Sequence, residues 1–336
     1  MSGNVMRTSV LIWCVYFLSG LGYSRTFKVA ALVPEGTTWA NSLRKMAADI
    51  KKETNNRIRF KLYLGGVAGD EPDVQRKIKV GQLHGGVFTG KALGDIYGDV
   101  RLMEVPFSFN QDRKKALAVL SGMRNHFDQG LANKGYVNLG FFEVGNVYIV
   151  ATKKAENLGH LKGMKIWAWE GDELGSSMLD SLQLVSVPLS LPDVLTSLST
   201  GIVDAAYASP LAILALQWQS KIKYLVDVPV VYAVGAFLLD QKSWNKINPG
   251  DQKILKKYAE KNILRSNDQT FQENEESLKA LKSTHQVEFV TFPKKDIEAG
   301  VGVRSKVLNQ LTGRLFSSDG VKLFQEQLAL AKKGIK

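Results

Sequence analysis

An α/β fold with a parallel sheet is predicted for this chain by three features of one stretch, Leu161 to Leu214. Short apolar runs, Met164 to Trp169, Leu184 to Val187 and Ile202 to Tyr207, are the right length for buried strands. Between them lie segments with apolar residues at helical spacing, the alternation of a β-α-β-α-β unit. Helix starts and stops fall where that unit needs them: Asp172 before Leu174, Met178, Leu179 and Leu182; Ser190 three residues before Asp193; Gly201 after Leu198; and Ser209-Pro210. Open α/β sheets bind ligands at the carboxyl ends of their strands, which here marks Trp167, Trp169, Glu170, Leu189, Tyr207 and Ser209.

In chain order, residues 1–24 come first. Arg7 is the only charge ahead of the uncharged run Thr8 to Ser24, the pattern of an export signal cut between Ser24 and Arg25. Phe27 to Val33 is the first strand after it, broken at Pro34-Glu35-Gly36. Thr37 or Thr38 caps the next helix, whose apolar stripe is Trp39, Leu43, Met46 and Ile50. Ile58, Phe60, Leu62 and Leu64 alternate with polar neighbours, so this strand has one solvated face. The Gly65–Pro72 loop reads as a turn, a helix runs from Val74 to Leu83, and a short strand from Gly85 to Thr89 ends at Gly90. Two helices, Asp112 to Gly122 and Met123 to Lys134, precede strands Val137 to Val144 and Val147 to Thr152, which Gly145-Asn146 separates. Pro249 to Thr284 is the longest helical signal, about 50 Å if continuous, with a break near Asn267 and Asp268 as the alternative. A strand from Val287 to Thr291 and two helices after Pro293 and Ser318 close the chain.

An apolar fraction of 45% with nine prolines gives enough core for about two domains and argues against disorder. Cys14, the only cysteine, lies in the leader, so the exported chain has neither disulfide nor thiol chemistry. Without the leader, 43 basic side chains face 32 acidic ones, a net +11. The basic residues are dispersed and not interleaved with aromatics, which excludes a nucleic-acid platform and leaves solvated faces or an anionic partner.

Four scattered histidines form no metal-ligand spacing, and no GxSxG elbow, P-loop or GxGxxG is present. No metal, cofactor or enzyme activity is expected. Glu170, Asp172 and Glu173 sit beside two tryptophans; Asp172 and Glu173 favour the positive start of the following helix, and Glu170 can face the site as an acceptor.

Five segments in order carry a family resemblance: LVPEGTTWA, VRLMEVPFSFNQDRKKALAVLSG, KGYVNLGFFEVGNVYIV, LKGMKIW and VPLSLPDVLTSLSTGIVDAAYASP. They resemble the solute-binding proteins of tripartite ATP-independent periplasmic (TRAP) transporters, DctP type, over essentially all of the chain after the leader. The resemblance implies a periplasmic protein with a two-lobed, type II-like fold, a hinge and a long lobe-spanning helix. Lobe 1 would hold residues 25–149 and 230–285, lobe 2 residues 150–229 and 286–336. It implies TRAP membrane subunits, or a tetratricopeptide-repeat accessory protein, as partners. Thr89 with Gly90 matches a place where the family approaches its ligand.

One departure bears on the ligand. The family's carboxylate-gripping arginine ends the segment that here reads KIW, so its position is Trp167, and a second arginine position falls at Val147 or Tyr148. None of these side chains can make the two charge-assisted bonds of a guanidinium fork. A neutral or hydrophobic ligand is therefore expected over an organic acid, held by Trp167, Trp169, Glu170, Leu189, Tyr207, Ser209, Thr89, Thr38 and Tyr148. Two rival readings are a docking scaffold that uses the basic surface and a hydrolase on the same lobes, for which no nucleophile, base and orienter can be named together.

Overall fold

A computed structural model describes residues 24–33 and 35–333. The leader expected over residues 1–24 lies outside the described residues apart from Ser24, and so does Pro34. The elements in order are β1 (Arg25–Ala30), α1 (Thr38–Glu53), β2 (Ile58–Tyr63), α2 (Glu71–Lys79), β3 (Gly85–Thr89), α3 (Gly90–Ile96) and, after the 3-10 turn Gly98–Glu104, α4 (Arg113–Asn133). Then come β4 (Tyr136–Ala151), α5 (Leu158–Leu161), β5 (Lys165–Ala168), α6 (Glu173–Ser181), β6 (Val185–Pro188), α7 (Val194–Thr200), β7 (Ala205–Ala208) and α8 (Pro210–Ala215). The chain closes with β8 (Tyr224–Val226), β9 (Val231–Asp240), α9 (Gln241–Trp244), α10 (Pro249–Ser283), β10 (Glu288–Val290), α11 (Lys294–Leu311) and α12 (Ser318–Lys333).

The strand order is β2-β1-β3-β9-β4-β7-β5-β6, with β8 pairing β4 and β10. The first lobe is the β2-β1-β3-β9 part with the start of β4; the second is the end of β4 with β7, β5, β6, β8 and β10. The β-α-β-α-β unit forms as its sequence pattern requires, β5 lying parallel to both β6 and β7.

Two elements differ from their sequence pattern. Gly145-Asn146 does not separate two strands: β4 is continuous for 16 residues and stays paired with β9 through register shifts at Asn138/Gly140 and Glu143/Gly145. Gly140 and Gly145, at φ +155° and +94°, absorb those shifts, and the second lies where the strand passes from one lobe to the other. Likewise α4 is one helix, because Met123 is buried on the same face as Val119, Leu120 and Phe127 and packing carries the helix past Gly122.

The long helix forms unbroken, as 35 residues. Asn267 stays within it because its side chain bonds the backbone of β4, donating to the Phe141 carbonyl and accepting the Glu143 N–H. Leu255, Ala259 and Ile263 of α10 pack under the first-lobe sheet with Leu43, Met46 and Ile50 of α1. Further along, Leu281 joins the second-lobe core around Trp167, Val194 and Trp218. The final segment also touches both lobes. Ser177 of α6 donates to Gln310 of α11, whereas Ser317, at the head of α12, donates its N–H and hydroxyl to Asp99 of the first lobe.

Candidate functional site

The carboxyl ends of β1 and β3 point across a cleft toward those of β5, β6 and β7, the position where an α/β sheet gathers ligand contacts. On the first-lobe side, Thr89 donates its N–H (3.1 Å) and hydroxyl (3.0 Å) to the carboxylate of Glu71, at the start of α2. Arg101, on the 3-10 turn, donates Nε to Glu104 at 2.6 Å. Its two terminal nitrogens reach Asp172, between β5 and α6 of the second lobe, at 3.1 Å each. This planar fork is a direct ionic bridge between the lobes, and Arg101, Glu104 and Asp172 are all buried. Gly94 makes room for it: a Cβ there would stand 2.7 Å from Arg101 Cγ.

The carboxyls of this cluster respond differently to burial. Burial pushes Glu71 up to about 7 against the two bonds from Thr89. Burial also raises Glu104, and its single bond to Arg101 does not offset this. In Asp172 burial acts the same way, but the charge and paired bonds of Arg101 outweigh it and hold the carboxyl below its usual range. One guanidinium thus serves two carboxylates, with a third nearby.

The second-lobe side is aromatic. Trp167 is 2% exposed and Trp169 38%. Their rings lie 5.1 Å apart, consistent with two residues on one face of a strand. Tyr207 stacks on Trp167 at 5.3 Å, and Trp218 meets it edge-on at 5.6 Å. The Trp167 indole N–H donates to the Leu189 carbonyl at 3.0 Å. The Tyr207 hydroxyl is buried with no well-formed hydrogen bond among the described residues, only the Trp169 backbone lying beside it, and burial raises its pKa.

The remaining expected residues are dispersed around this centre. Glu170 is exposed and Leu189 half-buried at the rim. Ser209 is buried, its oxygen accepting the Ala212 N–H as the cap of α8. Thr38 is half-buried and donates to Glu273 of α10; beside it Trp39 donates to Thr270 at 3.1 Å and packs on Phe142. Tyr148 is buried and lines a small recess with Arg113, Glu143, Tyr232 and Phe271, into which Pro210, beside Ser209, also reaches. There Arg113 forks onto Glu143 and also reaches Asp268, through Nε and one of its two terminal nitrogens.

Arg101, Glu104 and Glu71 are absent from the sequence-derived set, and Asp172 enters there only as a helix-start charge. The available signal was the i, i+3 spacing of Arg101 and Glu104, which marks a local pair but not the bridge across the cleft.

A hinged two-lobed α/β frame with a cleft between strand ends defines a binding protein. The chain matches the DctP family, bacterial extracellular solute-binding protein, family 7, over residues 29–312, and it belongs to that family of TRAP solute-binding proteins. A Haemophilus influenzae relative of uncharacterised role is 26% identical over 62% of this chain, and the chain spans 63% of that relative's length. Two solved structures share the fold. A TRAP periplasmic solute-binding protein from Sulfitobacter sp. NAS-14.1, with bound β-D-galacturonate, superposes with a TM-score of 0.80 at 21% identity, covering 90% of this chain and 100% of that one. One from Ochrobactrum anthropi, with its C-terminus bound in the ligand-binding pocket, gives 0.84 at 19% identity, covering 93% and 97%.

Proposed function

We propose that this protein is exported, binds a neutral or hydrophobic solute between its lobes, and delivers it to TRAP membrane subunits or to a tetratricopeptide-repeat accessory protein. The observation that carries the ligand class is the fate of the cations. Trp167 stands where the family's gripping arginine would be, and the one arginine at the centre of the cleft is taken up by Asp172 and Glu104. A ligand carboxylate entering here would meet Glu71 and Glu104 with no free guanidinium to receive it, a like-charge encounter in a desolvated site. The Sulfitobacter sp. relative holds an acid, so the divergence is one of pocket chemistry on a shared frame.

Trp169, the exposed member of the stack, is the ligand-facing aromatic, with Leu189 and Glu170 at its rim. Trp167 and Tyr207 back it, and Thr89 faces it from the first lobe. Thr38, Ser209 and Tyr148 serve the frame by capping or packing rather than by touching the solute. The lobes proposed are residues 25–149 with 230–285, and residues 150–229 with 286–336; α12 of the closing segment also packs on α4 of the first lobe.

Native mass spectrometry of the protein as purified, before and after organic extraction, tests the ligand class. An extractable apolar mass supports it; a bound uronic or dicarboxylic acid rejects it.

A further inference from the structure

We infer that the outer flank of α10's first half, together with the ends of α1 and α9, is a docking face for an anionic phospholipid surface. Six lysines converge there: Lys52, Lys246, Lys253, Lys256, Lys257 and Lys261. All are exposed, and among the described residues none pairs with a carboxylate. Their neighbourhood follows from the contacts beneath them. Asn262 of α10 donates to Asp49 of α1, which brings the end of α1 alongside this part of α10. Lys257 and Lys261 flank the ring of Tyr258 at 5.7 and 5.9 Å, and Lys256 lies 5.5 Å from the ring of Trp244 in α9. Leu264, 59% exposed, continues the flank by one turn. Two exposed carboxylates, Glu53 and Glu260, lie on the flank among these lysines, which still outnumber them. Beyond Leu264 the exposed charges of α10 are balanced, Asp268, Glu275 and Glu276 against Arg265, Lys279 and Lys282, so the excess of positive charge on this helix sits in its first half.

The chemistry of the face selects the partner. Protein interfaces favour arginine and a buried aromatic or apolar centre, and are depleted in lysine. This flank is lysine on a helical ridge with no concave apolar centre, so it suits diffuse attraction to many headgroups. Its position suits that role as well. Arg57, at the start of β2, forks onto Asp251 at the start of α10, which puts the basic end of the helix at the amino ends of the parallel strands. The cleft opens at their carboxyl ends, so adsorption here leaves the cleft free to open and close.

Flotation of the purified exported protein with phosphatidylglycerol-containing vesicles, against pure phosphatidylcholine ones, tests the inference. Adsorption is expected on the anionic vesicles only and lost at high salt. The triple variant Lys253→Glu/Lys257→Glu/Lys261→Glu should weaken it about tenfold or more. The control Lys162→Glu/Lys221→Glu/Lys295→Glu, with the same net charge change on exposed positions elsewhere, should leave most of it in place. Equal binding to both vesicle types, equal losses in the two variants, or capture by an acidic protein without vesicle adsorption would overturn the inference.

Discussion

The first lobe offers the cleft carboxylates, Glu71 and Glu104 around the Arg101 fork, whereas the second offers the aromatic stack of Trp167, Trp169 and Tyr207 with Asp172 beside it. The two walls do different work. The polar wall satisfies itself when the lobes meet, since the carboxylate that Arg101 receives comes from the protein's own second lobe. The aromatic wall keeps one indole open to the cleft and has no charge of its own to neutralise. On the function proposed above, closure and solute recognition, which an acid-gripping arginine would combine, are divided between the walls.

The largest effect should come from the polar wall. Arg101→Met leaves Asp172 and Glu104 buried without their cation, and a loss of about 3–5 kcal/mol in urea unfolding is expected. A loss below about 1 kcal/mol would mean that the bridge is solvated and the contrast between walls is false.

Glu71 sharpens the same point through pH. Its folded pKa, near 7, lies above the ordinary glutamate value, so the folded state holds the proton more tightly and stability falls as pH rises between those two values. Glu71→Gln removes this term. The variant should gain stability relative to the native chain on moving from acidic to mildly alkaline pH, by at most about 3 kcal/mol, as thermal unfolding at each pH will read. A pH-independent difference would sink that assignment.

On the aromatic wall the effects move from stability to binding. Trp169→Ala should change unfolding free energy by less than about 1 kcal/mol, because the side chain is partly exposed. The same change should weaken solute binding about tenfold or more, measured by the solute retained through dialysis. Trp167→Phe should be the mildest for binding and cost about 1–2 kcal/mol of stability, since it deprives the Leu189 carbonyl of its donor.

Much of the frame was legible in the sequence because it rests on periodicity. The apolar runs of β5 and β7 and the helix starts at Asp172 and Ser209 are local signals that burial reinforces, whereas the run of β6 forms a strand without being buried. The passage of β4 through the hinge was not, because Gly145-Asn146 has the composition of a turn and only pairing with β9 holds it extended. The two faces of the tryptophan question were equally hidden. Residues at i and i+2 share a side of a strand, and which of them meets solvent depends on Trp218 and Leu189, brought in from elsewhere. Asp172 illustrates the limit most clearly. Read locally it starts a helix, while its partner Arg101 lies 71 residues away, beyond any spacing rule.

The division of labour between the walls is tested most directly by tryptophan fluorescence titration of the solute-free protein with two ligand sets, neutral apolar molecules and uronic acids. We expect saturable spectral changes with apolar molecules that are lost in Trp169→Ala, and none with uronic acids. Saturable binding of a uronic acid that persists in Trp169→Ala and disappears in Arg101→Met would contradict the account, because it would return the arginine to the role of ligand grip.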